Sequence, residues 1–220
     1  MFNLDFENFI LNEVMDSTAN YELRIAQGKP IEYQVREALQ KEMGWITRDS
    51  TAGADKHKGI DAWVVSEDGG KTKIAQVPIQ IKVRKNTSAN VIFWESIKPW
   101  REDLPTIYHN EGNKIFNGKD MRCQARFLVS LSPNGALLKF RKVDEVLNTA
   151  KRMTLKLLEV YRATGRTFAE TDWGEVAVVK DPSQEANFNQ KGDVYKVACK
   201  ILPEAFEWIK DLPLKQPITF

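Results

Sequence analysis

The sequence predicts an α/β or α+β domain, because helical and strand patterns alternate along it rather than falling into separate halves. Three stretches carry that expectation: a helical stripe over residues 30–43, a hairpin pattern over residues 59–85, and a long helical stripe over residues 144–162 set between strand patterns.

Taken in order, residues 1–25 read as an amphipathic helix, broken at Gly28-Lys29-Pro30. A second helix starts at Pro30, whose fixed φ suits a first-turn position, and places Ile31, Val35, Ala38, Leu39 and Glu42 on one stripe. Gly44 ends it. Trp45 and Ile46 predict a short strand, followed by a polar loop over residues 49–58. Residues 59–65, the turn Ser66-Glu67-Asp68-Gly69-Gly70 and residues 73–85 make a hairpin, with Pro78 predicting a bulge or a fresh start in its second strand. Residues 90–123 are rich in aromatics, with Pro99 and Pro105 among them, and take no clean assignment. Residues 126–131 and 137–143 form a second hairpin through Ser132-Pro133-Asn134-Gly135. Beyond the helix at 144–162, strands are expected near 175–179 and 194–201, then a short helix over 203–210. No repeat and no Pro/Gly/Ser linker divides the chain, so residues 1–220 are expected to form one domain.

At 220 residues and 42% hydrophobic, the chain can bury one sizeable core. No apolar run approaches the length that spans a bilayer, and Asp5, Glu7 and Glu13 occupy the stretch where a secretion signal needs positive charge. A cytoplasmic protein with no membrane partner is the expectation. Cys123 and Cys199 lie far apart with no histidine or cysteine at metal-ligand spacing, and both are expected to be core thiols. A net charge of +2 makes no electrostatic case for nucleic acid by itself. Its distribution is more informative, with basic residues at Lys56 and Lys58, at Lys82, Arg84 and Lys85, and at Lys114, Lys119, Arg122 and Arg126. Such charges are commonly solvated edges; they become a phosphate surface only if several share a face.

The chemistry is concentrated in the first hairpin. Side chains alternate along a strand, so Gln80 and Lys82 share one face while Ile79, Ile81 and Val83 share the other. Asp61, flanked by Ile60 and Ala62, is an odd position for a carboxylate unless something occupies it. A metal ion would satisfy it. Magnesium takes hard oxygen ligands, keeps several waters and binds through one or two carboxylates plus a substrate phosphate. Asp61 and Glu32 offer the carboxylates, Gln80 an amide oxygen, and Ile81 its backbone carbonyl. Lys82 then orients or deprotonates the attacking water, or neutralises charge that grows on the phosphate.

In this order Glu32 in Ile31-Glu32-Tyr33-Gln34-Val35, Asp61 in Lys58-Gly59-Ile60-Asp61-Ala62, and Gln80-Ile81-Lys82 resemble the PD-(D/E)XK nuclease superfamily. The stretch from Glu32 through Met43-Gly44-Trp45-Ile46-Thr47-Arg48-Asp49-Ser50 to Asp61 is similar to the archaeal Holliday junction resolvases, and Gln in place of the acid is similar to the Mrr-like restriction enzymes. The resemblance covers roughly residues 28–86. It implies an α/β, restriction-endonuclease-like core, a mixed central sheet flanked by helices, with residues 87–220 completing the sheet and adding elaborations. It also implies a metal-dependent DNA endonuclease using Mg2+, with Mn2+ as a substitute, Glu32, Asp61, Gln80 and Lys82 as catalytic residues, and Glu32, Asp61, Gln80 and Ile81 around the metal. A homodimer is expected because many such nucleases pair to cut two strands. The chain departs from the pattern at Ile60, where Pro often stands, and at Gln80, which lowers the negative charge of the site by one.

Each feature has a plainer competitor. Glu32 also suits a helix first turn, where an acid favours the dipole, and Glu37 is on the same helix. Lys56, His57 and Lys58, with Arg84 and Lys85, are expected to touch backbone phosphate nonspecifically rather than to act in catalysis. Ser50 and Thr51 bind phosphate or shape a turn. The aromatic stretch over residues 93–126 stacks on unpaired bases or packs a core. The Gln80 substitution also admits a DNA-binding or structural protein that keeps the nuclease fold without turnover. A small-molecule enzyme with the same acid and lysine is a third reading.

Overall fold

The computed structural model describes residues 21–83, 91–132, 134–181, 194–206 and 209–219. Two sheets organise the chain. The first has six strands in the order β1 (Ile46–Asp49), β2 (Ala62–Glu67), β3 (Thr72–Lys82), β5 (Phe127–Leu131), β6 (Leu137–Lys142) and β10 (Ile209–Pro213). Its neighbours are antiparallel except β3 and β5, which run parallel. The second is a four-strand antiparallel sheet ordered β4 (Ile92–Ile97), β9 (Tyr195–Ile201), β8 (Gly174–Lys180) and β7 (Phe168–Thr171). The protein is thus α/β, a mixed sheet beside an antiparallel one with several helices.

Alternation sorts the two faces of the six-strand sheet. Ile79, Ile81, Val129, Leu131, Leu138 and Phe140 bury against Ile31, Val35 and Leu39 of helix α1 (Tyr21–Met43). Gln80 and Leu128 point the other way, and Leu128 enters a second core built on helix α4 (Val143–Thr164) and the four-strand sheet. That helix presents Val146, Ala150, Met153, Leu157 and Leu158 on one buried stripe. No helix among the described residues is long and apolar enough to cross a membrane.

Several expectations need correction. Helix α1 runs through Gly28-Lys29-Pro30 instead of breaking there, with Pro30 inside it. A proline removes one helical hydrogen bond, yet Ile31, Val35 and Leu39 anchor the turns that follow it to the sheet. Residues 1–20 lie outside the described residues. The polar loop contains a short helix, α2 (Ala52–Lys58): the Thr51 hydroxyl accepts from the Ala54 N–H, and Gly59, at φ 56°, closes the other end. Strand β3 passes through Pro78 without a break, pairing it with Trp63; the irregularity falls at Val64 and Ser66 on β2. Pro78 is tolerated because its nitrogen faces the edge that β5 joins only at Phe127. The helix expected over 203–210 is replaced, among the described residues, by a single 3-10 turn (Pro203–Ala205) and by the start of β10, which completes the outer edge of β6. One turn at a proline is too short to propagate, whereas the β6 edge offers a ladder of unmet hydrogen bonds.

The unassigned stretch holds β4, helix α3 (Leu104–Glu111) and two 3-10 turns. Among the described residues strand β4 is an edge strand, paired with β9 on one side only. Its other edge is closed by residues 117–120. The Lys98 N–H donates to Asn117 Oδ1, the Gly118 N–H to the Ser96 carbonyl, the Lys119 N–H to Glu95 Oε1, and the Glu95 N–H to Asp120 Oδ2. Gly118 approaches so closely that an added Cβ would stand 2.5 Å from the Glu95 carbonyl oxygen. The chain then runs on beside the first hairpin: the Gln124 N–H donates to the Lys58 carbonyl and the Arg126 N–H to the Pro78 carbonyl. One short segment therefore stitches the two sheets together.

Candidate active site

Asp61 extends β2 by one residue. Its N–H donates to the Ile79 carbonyl at 2.9 Å and its carbonyl accepts from the Ser50 N–H at 3.3 Å. Beyond this point β3 is paired on its β5 side only, and the Ile81 N–H, with no β2 backbone opposite it, donates to Asp61 Oδ2 at 2.6 Å. A strand residue turns its N–H and C=O to the same edge, so the Ile81 carbonyl leaves β3 on the side where the Asp61 carboxylate lies. Burial pushes the Asp61 carboxyl up to about 6; the Ile81 N–H, Lys82 and Lys119 pull against that rise, and Asp55 adds to it.

Lys82 forms an ion pair with a residue the sequence did not single out. Its Nζ lies 2.9 Å from Asp120 Oδ1, and 5.7 Å from the centre of the Trp94 ring. The Asp120 side chain is only 11% exposed, and burial alone would raise its carboxyl. The Lys82 charge, the Glu95 N–H bonded to Oδ2 at 2.8 Å, the Lys82 hydrogen bond and Lys119 together hold it below the usual carboxylate range. Glu95 is steadied in turn by Lys196, 3.2 Å from its Oε2.

Gln80 is turned into the protein interior. It is 5% exposed, and its Oε1 lies 3.2 Å from Cys123 Sγ, a thiol that also lies 3.3 Å from the Gly59 carbonyl oxygen. Burial pushes the Cys123 thiol up to about 11, so it is a neutral donor at ordinary pH. Gln80 shares a face with Lys82 as the alternation requires, yet its amide oxygen is engaged inside the protein. Both cysteines are buried and free; Cys123 nonetheless belongs to the site, as the partner that fixes Gln80.

Glu32 lies on the half-buried flank of α1, next to Ile31. That helix covers the sheet face opposite Gln80 and Lys82, so an approach of Glu32 to Asp61 runs round the open strand ends rather than across the sheet. Lys58 is exposed at the end of α2, and Lys56 and His57 are on the same helix with side chains outside the described residues. Arg84 and Lys85 lie outside the described residues altogether. Lys119, by contrast, comes from the unassigned stretch to act on both Asp61 and Asp120.

Among the described residues no group of three or more His, Cys, Asp or Glu side chains is placed to hold a metal. The oxygen donors that do fit a hard cation are Asp61 Oδ1, which accepts no hydrogen bond among the described residues, and the Ile81 carbonyl. Two such donors suffice for magnesium, which keeps waters and takes the rest from phosphate. A cavity of about 310 Å³ lined by Met43, Trp45, Phe127 and Phe140 lies on the α1 side of the sheet, away from these groups.

The signal for Asp120 was faint in the sequence: Gly-Lys-Asp following an aromatic is a turn pattern, and only the pairing of that turn with β4 carries it to Lys82. No protein-family model matches the chain, and no curated protein or solved structure is significantly similar to it.

Proposed function

We propose that the protein is a magnesium-dependent DNA endonuclease of the PD-(D/E)XK kind, with manganese as a substitute ion. The observation that carries this reading is the convergence of Asp61, the Ile81 backbone and Lys82 at the open end of one hairpin. A carboxylate, a carbonyl and a primary ammonium gathered at one strand end are the groups phosphodiester hydrolysis asks for. The order of elements supports the same reading. A helix, a three-strand antiparallel run carrying the acid and the lysine, and a fourth strand parallel to the third form the mixed core that the resemblance implies.

In this arrangement Asp61 Oδ1 and the Ile81 carbonyl would hold the cation, with Glu32 as a further ligand from α1. Bound there, magnesium would supply an activated water and a positive charge at the reacting phosphate. Lys82 donates to a phosphate oxygen as it gains charge, and Lys58 and Lys119, both exposed beside the site, bind the flanking backbone phosphates. Gln80 acts as scaffold: its Oε1 and the Gly59 carbonyl both lie within reach of the single Cys123 S–H, which packs between β3 and the loop before Asp61.

The test incubates the protein with supercoiled plasmid, a four-way junction and single-stranded DNA, each with magnesium, manganese or EDTA, beside Asp61→Ala, Lys82→Ala and Glu32→Ala. Cutting that needs metal and is lost by about 10³-fold in the first two variants is expected. The burial of Gln80 favours one rival, a DNA-binding protein without turnover. DNA binding with no cutting under any condition would establish that rival and remove the enzyme.

A further inference from the structure

We propose that Asp120 is a positioning residue for cleavage, a carboxylate on the 117–120 turn that holds Lys82 toward the phosphate. The assignment rests on the nuclease reading above. A lysine side chain carries about 2 kcal/mol of rotamer entropy, and a catalytic ammonium needs that freedom removed. Here two contacts remove it. Asp120 Oδ1 holds Nζ at 2.9 Å, and the Trp94 ring, fully buried, lies 5.7 Å away. Asp120 is itself fixed through its other oxygen by the Glu95 N–H, and Glu95 accepts from the Lys119 N–H, so each segment holds the other.

A purely structural role for Asp120 is met by Oδ2 alone, which ties the turn to β4. The bond from Oδ1 to Lys82 is surplus to that role and crosses to the other sheet. Gln80 does not supply the same hold: its amide is uncharged and offers Lys82 no ion pair, and its oxygen lies against the Cys123 thiol.

The two roles separate in Asp120→Asn, which keeps an acceptor for the Glu95 N–H but loses the charge opposite Lys82. For the full chain with magnesium and plasmid DNA, kcat is expected to fall on the order of 10- to 100-fold, the scale set by residues that orient a primary catalytic group. KM for DNA should change less than about threefold, since the ground-state phosphate contacts remain. Asp120→Glu, which restores a carboxylate, should recover most of the loss. If Asp120→Asn does not fold, Asp120→Ser, also an acceptor for Glu95, carries the same expectation. Cutting by wild type and by Asp120→Asn at equal kcat overturns the assignment and leaves the nuclease reading intact. Failure of wild type to cut with any metal removes both.

Discussion

Asp61 and Asp120 flank one lysine and each accepts one backbone N–H, yet their carboxyls move in opposite directions. Burial works against the charge of both. The difference is a direct ion pair: Lys82 bonds Asp120 and acts on Asp61 only through space. Asp120 is therefore satisfied in the protein as it stands, whereas Asp61 carries a charge that its surroundings do not fully compensate. The contrast separates an acid whose charge is met within the protein from one whose charge is not, and the raised group is the more informative of the two.

The largest effect expected is on turnover. Asp61→Asn should lower plasmid cutting by about 10³-fold with magnesium; retention of more than a tenth of the rate would break the division of labour between the two acids. Next comes Gly118→Ala. A Cβ there meets the Glu95 carbonyl at 2.5 Å, and either the turn or β4 must move, at a cost of roughly 2–4 kcal/mol measured by urea unfolding. A cost below 0.5 kcal/mol would show that the turn is not braced as the contacts indicate.

A smaller effect lies in the pH dependence of the metal-free protein. Because the folded Asp61 pKa of about 6 exceeds its ordinary 3.8, the folded state binds the extra proton between those values. Its contribution to stability is present at low pH and is lost as pH rises towards 7. Asp61→Asn should accordingly stabilise the apo protein by about 2 kcal/mol at pH 7 and by nothing near pH 3.5. Asp120 has the opposite sign, its contribution being present at neutral pH and lost on acidification, so Asp120→Asn should destabilise at pH 7. Urea midpoints of both variants at the two pH values check the pair; shifts of the same sign would erase the comparison. Smallest is Cys123→Ala, expected to cost about 1 kcal/mol and to change cutting less than tenfold on the proposed scaffold role of Gln80. A loss as large as that of Asp61→Asn would return Gln80 to the reacting centre.

The two acids also mark how far the sequence reaches. Asp61 and Lys82 were legible because the features that place them are local: strand alternation, a Gly-rich turn and an acid among apolar neighbours. The strand at 127–131, as one arm of a hairpin, and the α4 stripe were legible on the same grounds, while the parallel pairing of that strand with β3 was not. Asp120 was not, because its meeting with Lys82 spans 38 residues and depends on the closure of β4 by the turn that carries it. Strand β10 was missed for a related reason. Nothing within residues 209–213 selects a strand over a helix; the exposed edge of β6 does. Gln80 illustrates the converse, since alternation gave its face correctly and left its partner, Cys123, unspecified.

The bracing of β4 has a consequence for how variants will behave in solution. An uncovered edge strand offers its amides to any other chain, and residues 117–120 cover this one with four hydrogen bonds. Substitutions that loosen that segment take Asp120 from Lys82 and expose a sticky ribbon, Ile92–Ile97, in the same event. Solubility and the Lys82–Asp120 pair are thereby tied to one stretch of chain, and loss of that pair will tend to arrive as precipitation.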